Sequence, residues 1–206
     1  MRPTPRKTAM RVREGRVFKK NNWVPDHRDY YARRQSEIQI ERTHPGPGYR
    51  HVVTVPQLRR FLGLLPDWNE LAIGLEAISI YEGGHGWLGV CNPGVVVITA
   101  WEQDLWWPRM EPSWVDEVRD LLALLGVEIV PDRDNGGLLE LRWTEVQARG
   151  FMLLDVLVHE LGHHHDRMTA NAMAARRAPR GEPYAMAYAK RVRSEVWPQY
   201  ARVFGL

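Results

Sequence analysis

Apolar positions in the middle of this chain fall in short strand-like runs, and those on either side fall in stripes of helical period. Residues 51–55 read as a strand. Pro56 then opens a helix carrying Leu58, Phe61, Leu62 and Leu65, which Pro66 stops. Residues 77–81 form a further strand, and residues 87–91 pair with 95–99 across the turn residues Asn92, Pro93 and Gly94. A tryptophan-rich loop is expected over 101–114. Ser113 caps a helix with a buried stripe of Val115, Val118, Leu121, Leu122 and Leu125, ended by Gly126. Short strands follow at 127–130 and 138–143, separated by a turn at 132–137. Phe151, Leu154, Leu157, Val158 and Leu161 then give a strongly apolar helix. It starts at Thr144, boxed with Gln147, or after a break at Gly150.

Residues 1–35 carry few aliphatic side chains and no sustained period, so they read as a flexible arm, with a helical turn at 26–34 as its one ordered piece. Residues 43–48 form a loop by their Pro and Gly content. The expected organisation is therefore an arm over 1–35 and one domain over 36–206.

Composition narrows the class. A chain of 206 residues with 44% hydrophobic and 26% charged residues is long enough for one buried core and matches globular rather than disordered proteins. No apolar run approaches the roughly 20 residues that span a bilayer, and no apolar segment follows the basic start, so neither a membrane helix nor a secretory signal is expected. The single cysteine, Cys91, excludes an internal disulfide and suits a reducing, cytoplasmic setting. The net charge of +3 is unevenly placed: residues 1–34 hold eleven Lys and Arg against Glu14, Asp26 and Asp29. Such an arm can contact nucleic acid nonspecifically through phosphates, or can simply be solvated.

The candidate chemistry lies in the run from His159 to Asp166. His159 and His163 are four apart, so on a helix both imidazoles point to one side and can share an ion. Zinc accepts neutral imidazole nitrogens and, in catalytic sites, keeps a position open for water. Glu160, beside the first ligand, can take the proton of that water as general base. His164 and His165 point about 100° and 200° away from His163 and cannot join the same ion. Asp166 shares the ligand face and can accept a ligand's second N–H or stand exposed, and Asp155, four before His159, has the same two readings. Two histidines leave the ion short of a protein ligand, which a downstream carboxylate or histidine must supply.

The stretch His159-Glu160-Leu161-Gly162-His163, with Glu182-Pro183-Tyr184-Ala185 heading a C-terminal helix, resembles the zincin metallopeptidases and most closely the gluzincins. Eighteen residues separate His163 from Glu182, the spacing seen in gluzincin aminopeptidases and one short of the thermolysin-like spacing. Asp166 and Thr169 stand where the metzincin pattern has Gly and His. Met186 stands where a thermolysin-like helix has Asp, and the Gly-x-Met-Glu-Asn stretch of the aminopeptidases is absent, so the narrower family stays open. The resemblance implies an α+β zincin-like domain in which a mostly antiparallel sheet packs on the buried motif helix and the C-terminal helix completes the site. It implies Zn2+ held by His159, His163 and Glu182, with Glu195 as the competing third ligand. It also implies hydrolysis of protein or peptide substrates with Glu160 as the base, and an edge strand, residues 138–143 or a neighbouring hairpin strand, that binds extended substrate.

A donor for the developing oxyanion is also required, and Tyr184, Tyr188, His165 and His85 are the candidates. His85 lies among glycines and also reads as a turn residue. Trp101, Trp106, Trp107 and Trp114 could line an apolar subsite or roof the core. Arg176, Arg177 and Arg180 read as a solvated loop or as a contact for acidic partners. From another class, the same residues allow a nucleic-acid-associated or regulatory protein with a structural or latent zinc site and a working basic arm.

Overall fold

The structure is a computed structural model that describes residues 11–13, 16–18, 38–172 and 178–205. Most of the expected arm, including the helical turn at 26–34, lies outside the described residues. Two short strands are placed there, β1 (Arg11–Arg13) and β2 (Arg16–Phe18), paired antiparallel.

The remaining strands are β3 (Gln39–Arg42), β4 (Tyr49–Arg50), β5 (Ala77–Tyr81), β6 (Gly89–Asn92), β7 (Val95–Thr99), β8 (Trp101–Glu102), β9 (Trp106–Met110), β10 (Glu128–Pro131) and β11 (Leu139–Arg142). The helices are α1 (Val55–Leu62), α2 (Trp68–Leu71), α3 (Pro112–Leu125), α4 (Glu145–Phe151), α5 (Val158–Ala172) and α6 (Glu182–Phe204). The main sheet has the order β3-β5-β7-β6. β3, β5 and β7 run parallel, and β6 closes one edge antiparallel to β7, from Gly89 opposite Ile98 to Asn92 opposite Val95. A separate antiparallel sheet has the order β10-β11-β9, and β4 pairs with β8. The architecture is mixed α/β, and among the described residues no helix is long and apolar enough to cross a membrane.

The helix bearing the candidate ligands is the centre of the core. Thr144 caps α4 through the box with Gln147. The helix then passes without a break through a π-helical segment, Met152–Leu157, into α5. Gly150 interrupts nothing. A Cβ there would stand 2.5 Å from Leu125 Cδ2, so glycine permits the close approach of α3. Phe151, Met152, Leu153 and Leu154, then Val156, Leu157 and Val158, are all buried, as in a helix enclosed on every side. Ile78, Ile80, Val96 and Ile98 of the main sheet belong to the same cluster.

Several expectations are corrected here. The sheet packed on the motif helix is mainly parallel, because β3, β5 and β7 are joined by long connections and only the β6–β7 hairpin reverses direction. β11, expected as an open edge, is paired on both sides, which leaves β6 as the edge nearest α5. Residues 51–53 bend into α1, because Thr54 and Gln57 form a capping box that starts the helix there. Glu111, not Ser113, precedes the first residue of α3 and makes no side-chain cap, since Pro112 already occupies the first turn. The segment from Trp101 contains strands β8 and β9, in keeping with the strand preference of aromatic residues.

Trp101 and Trp107 stack with centroids 4.2 Å apart, and Trp143 meets Trp101 edge-on at 4.9 Å. Phe151 packs against both Trp101 and Trp143, tying the second sheet to the motif helix. Trp101→Ala is expected to lower unfolding free energy by about 3–5 kcal/mol, read from urea denaturation.

Candidate metal centre

The ligand cluster forms where α5 meets the first residue of α6. His159 and His163 sit one turn apart, with Nε2 atoms 3.1 Å from each other. Glu182 brings Oε1 to 3.0 Å from His159 Nε2 and Oε2 to 3.2 Å from His163 Nε2. Among the described residues these three form a His/His/Glu group whose donor atoms all lie within 4.8 Å of one another and that could hold a metal ion. The separations suit such an ion, because ligand atoms at about 2.0–2.1 Å around a tetrahedral centre lie roughly 3.3 Å apart. Burial holds the His159 imidazolium below the usual range; Glu182 opposes this, His163 adds to it and Asp155 opposes it. That favours the neutral imidazole a metal requires. The side-chain exposures, 22% for His159, 24% for His163 and 64% for Glu182, leave the cluster open on one side.

Two local features deliver Glu182 to this position. Gly162 lies against α6, where a Cβ would stand 3.0 Å from Ala185 Cα and 3.2 Å from its carbonyl oxygen. A side chain at this position would require α6 to give by a few tenths of an ångström. Asp166, 1% exposed, accepts the Gly181 N–H at 2.8 Å and Arg180 Nε–H at 2.8 Å. Gly181 is at φ 76°, where side chains are strained, and immediately precedes Glu182. Asp166 thus anchors the start of α6 rather than accepting a ligand histidine's N–H. Its buried charge is matched by a guanidinium and a backbone donor.

Glu160 is buried beside the cluster and accepts the Cys91 N–H of β6. Burial, and then the nearby Glu182 charge, push its carboxyl up to about 7, against the Cys91 hydrogen bond. β6 approaches so closely that a Cβ at Gly89 would lie 2.7 Å from Val156 Cγ1 and 2.8 Å from Glu160 Cγ. Sequence reasoning singled out neither Gly89 nor the Cys91 amide. Nothing in the hairpin's pattern marks one glycine as a contact site.

The remaining candidates have other partners. Glu195 is exposed on α6 and pairs with Arg191 at 2.9 Å. Asp155 pairs with Arg193 of α6 at 2.7 Å, and burial raises its pKa despite that partner. His164 is 1% exposed and donates Nε2–H to the Ile73 carbonyl at 3.0 Å; burial drives its pKa down to about 4. The Tyr184 hydroxyl lies 2.6 Å from His165 Nδ1, and the His165 ring stacks on Tyr184 and Tyr188. Burial lowers the His165 pKa and raises that of Tyr188 to about 12. These three form an aromatic seam between α5 and α6. Arg180 joins it, with its guanidinium carbon 3.6 Å from the Tyr184 ring centroid. His85 stacks on Tyr81 and Trp87. Of the tryptophans, Trp101 is core, whereas Trp106, Trp107 and Trp114 line a cavity of about 490 Å³. Arg176 and Arg177 lie outside the described residues.

Asp166→Asn keeps the shape of the anchor and removes its charge, and is expected to weaken divalent-metal binding by about tenfold, the lower end of such supporting contacts. Gly162→Ala should weaken it further by forcing α6 away. Isothermal titration with zinc or cobalt reads both. No family model, curated protein or solved structure matches this chain.

Proposed function

We propose that this chain is a zinc-dependent metallopeptidase of gluzincin-like character. The reading rests on one observation: His159, His163 and Glu182 converge, and the carboxyl of Glu160, near Glu182, packs against the edge strand β6 and accepts its Cys91 N–H. The zincin-like fold and the identity of the metal are part of this proposal.

His159, His163 and Glu182 would hold the ion, and two imidazoles with one carboxylate suit zinc better than the all-oxygen sets preferred by calcium or magnesium. When bound, zinc supplies a Lewis acid that polarises the scissile carbonyl and acidifies water. Glu160 accepts the proton of the attacking water and passes it to the amine nitrogen that leaves as the peptide C–N bond breaks. Burial, which raises the pKa of this carboxyl, favours its taking up a proton. Among the described residues no strand pairs with the outer edge of β6, where an extended peptide could add beside the Cys91 amide that Glu160 holds. The exposed Glu182 supports a working rather than a structural site, since structural zinc sites are closed by protein ligands on all sides.

Glu160→Gln should retain zinc, measured by metal analysis of the purified protein. It should lose peptide hydrolysis by about 100-fold or more, the scale of general-base catalysis. Full activity in the Gln variant would overturn the assignment, and so would a wild-type protein that binds zinc and cleaves no unfolded protein or peptide.

A further inference from the structure

The cavity of about 490 Å³ begins one residue along the chain from the candidate catalytic centre. Leu88 and Trp87 line it, and the next residue, Gly89, is the one packed against Glu160. A strand advances about 3.3 Å per residue, so the residues of a peptide that lay beside β6 near Glu160 would pass within a few residues' length of this cavity.

Aromatic side chains from four separated stretches form its walls: Tyr49, Trp87, Trp106, Trp107 and Trp114. Trp87 and Trp106 are 39% and 40% exposed, large apolar surfaces of a kind that marks binding sites. The walls are held in place by packing. A Cβ at Gly83 would stand 2.1 Å from the Tyr49 ring, so that ring lies directly on the glycine backbone. Trp107 donates Nε1–H to Glu102 Oε2 at 2.6 Å, and Trp106 donates Nε1–H to Glu140 Oε2 at 3.2 Å.

The formal charge lining the cavity is that of one carboxylate, while Glu140 behind Trp106 is itself paired with Arg142 at 3.3 Å. Glu102 lines the cavity, Glu140 holds one of its tryptophans, and no Lys or Arg is among its lining residues. Indole and phenol faces attract cations through their ring quadrupoles, and a carboxylate among them adds direct charge attraction. A purely apolar subsite has no use for the carboxylate, whose desolvation counts against an apolar guest.

We propose that this aromatic cavity binds the side chain of a lysine or arginine, so that the substrate is a peptide with a basic residue adjacent to the bond cleaved. The substrate half of this statement rests on the peptidase reading; the recognition of a basic side chain does not. Tyr49, Trp87, Trp106 and Trp114 enclose the alkyl stem and face the cationic head, and Glu102 neutralises it.

The test titrates the full chain with N-acetyl-lysine amide, N-acetyl-arginine amide and, as the uncharged isostere, N-acetyl-norleucine amide, followed by tryptophan fluorescence. The basic probes should saturate at a concentration about tenfold or more below norleucine, the scale of a cation–π contact reinforced by a carboxylate. Glu102→Gln keeps an acceptor for Trp107 and should remove most of that difference by weakening the basic probes. Trp106→Leu, at an exposed position, should weaken the basic probes independently. Equal binding of norleucine would overturn the proposal in favour of an apolar pocket, and no binding by any probe would overturn it outright. Paired peptide substrates differing by Lys or norleucine at one position separate the two readings. Cleavage without a basic preference counts against this inference alone. Basic-probe binding without any cleavage counts against the peptidase reading alone.

Discussion

The constraint on which the candidate site depends is the backbone contact between α5 and α6 at Gly162 and Ala185. A hydrogen in place of a side chain at Gly162 lets the two backbones approach within ordinary van der Waals limits. From that approach follow the reach of Glu182 to both histidines, the stack of His165 on Tyr184 and Tyr188, and the hold of Asp166 on Gly181. A methyl group at this point would meet backbone, which cannot rotate aside as a flexible side chain can.

Around this contact the run from His159 to Asp166 spreads its polar groups over the whole helix circumference. His159 and His163 face the open side. Glu160 faces β6, His164 reaches the Ile73 carbonyl, and His165 and Asp166 address α6. Burying so many polar side chains on one helix is tolerable because nearly every direction offers a specific partner. The π-helical segment that precedes the run places an extra residue in the helical turn immediately before His159, and such segments often accompany functional sites. Asp155, within that segment, adds a second tie to α6 through Arg193.

The sheet supplies what the helices lack. β6 is the antiparallel edge of an otherwise parallel sheet, and its amide at Cys91 and its bare Cα at Gly89 are the features that meet Glu160. The same hairpin continues through Leu88 and Trp87 into the aromatic cavity. One hairpin therefore supplies both the contact to Glu160 and part of the cavity wall.

The sequence by itself determined the parts whose cause is local. Helical spacing aligned His159 with His163 and turned His164 and His165 elsewhere, and the capping box at Thr144 and the β6–β7 hairpin followed from neighbouring residues. The Glu182 expectation came from a spacing pattern, and the fold brings that residue to the cluster while Glu195 stays exposed on the far part of α6. Only the tertiary structure decided that the sheet on the motif helix is parallel, that β11 is interior and β6 the edge, and that Asp166 anchors α6. It alone made Gly89 and Gly162 contact points and turned the Trp101–Trp114 segment into strands and a cavity wall. Those outcomes depend on which distant element lies across from a residue, and no periodicity within a segment encodes its neighbour in space.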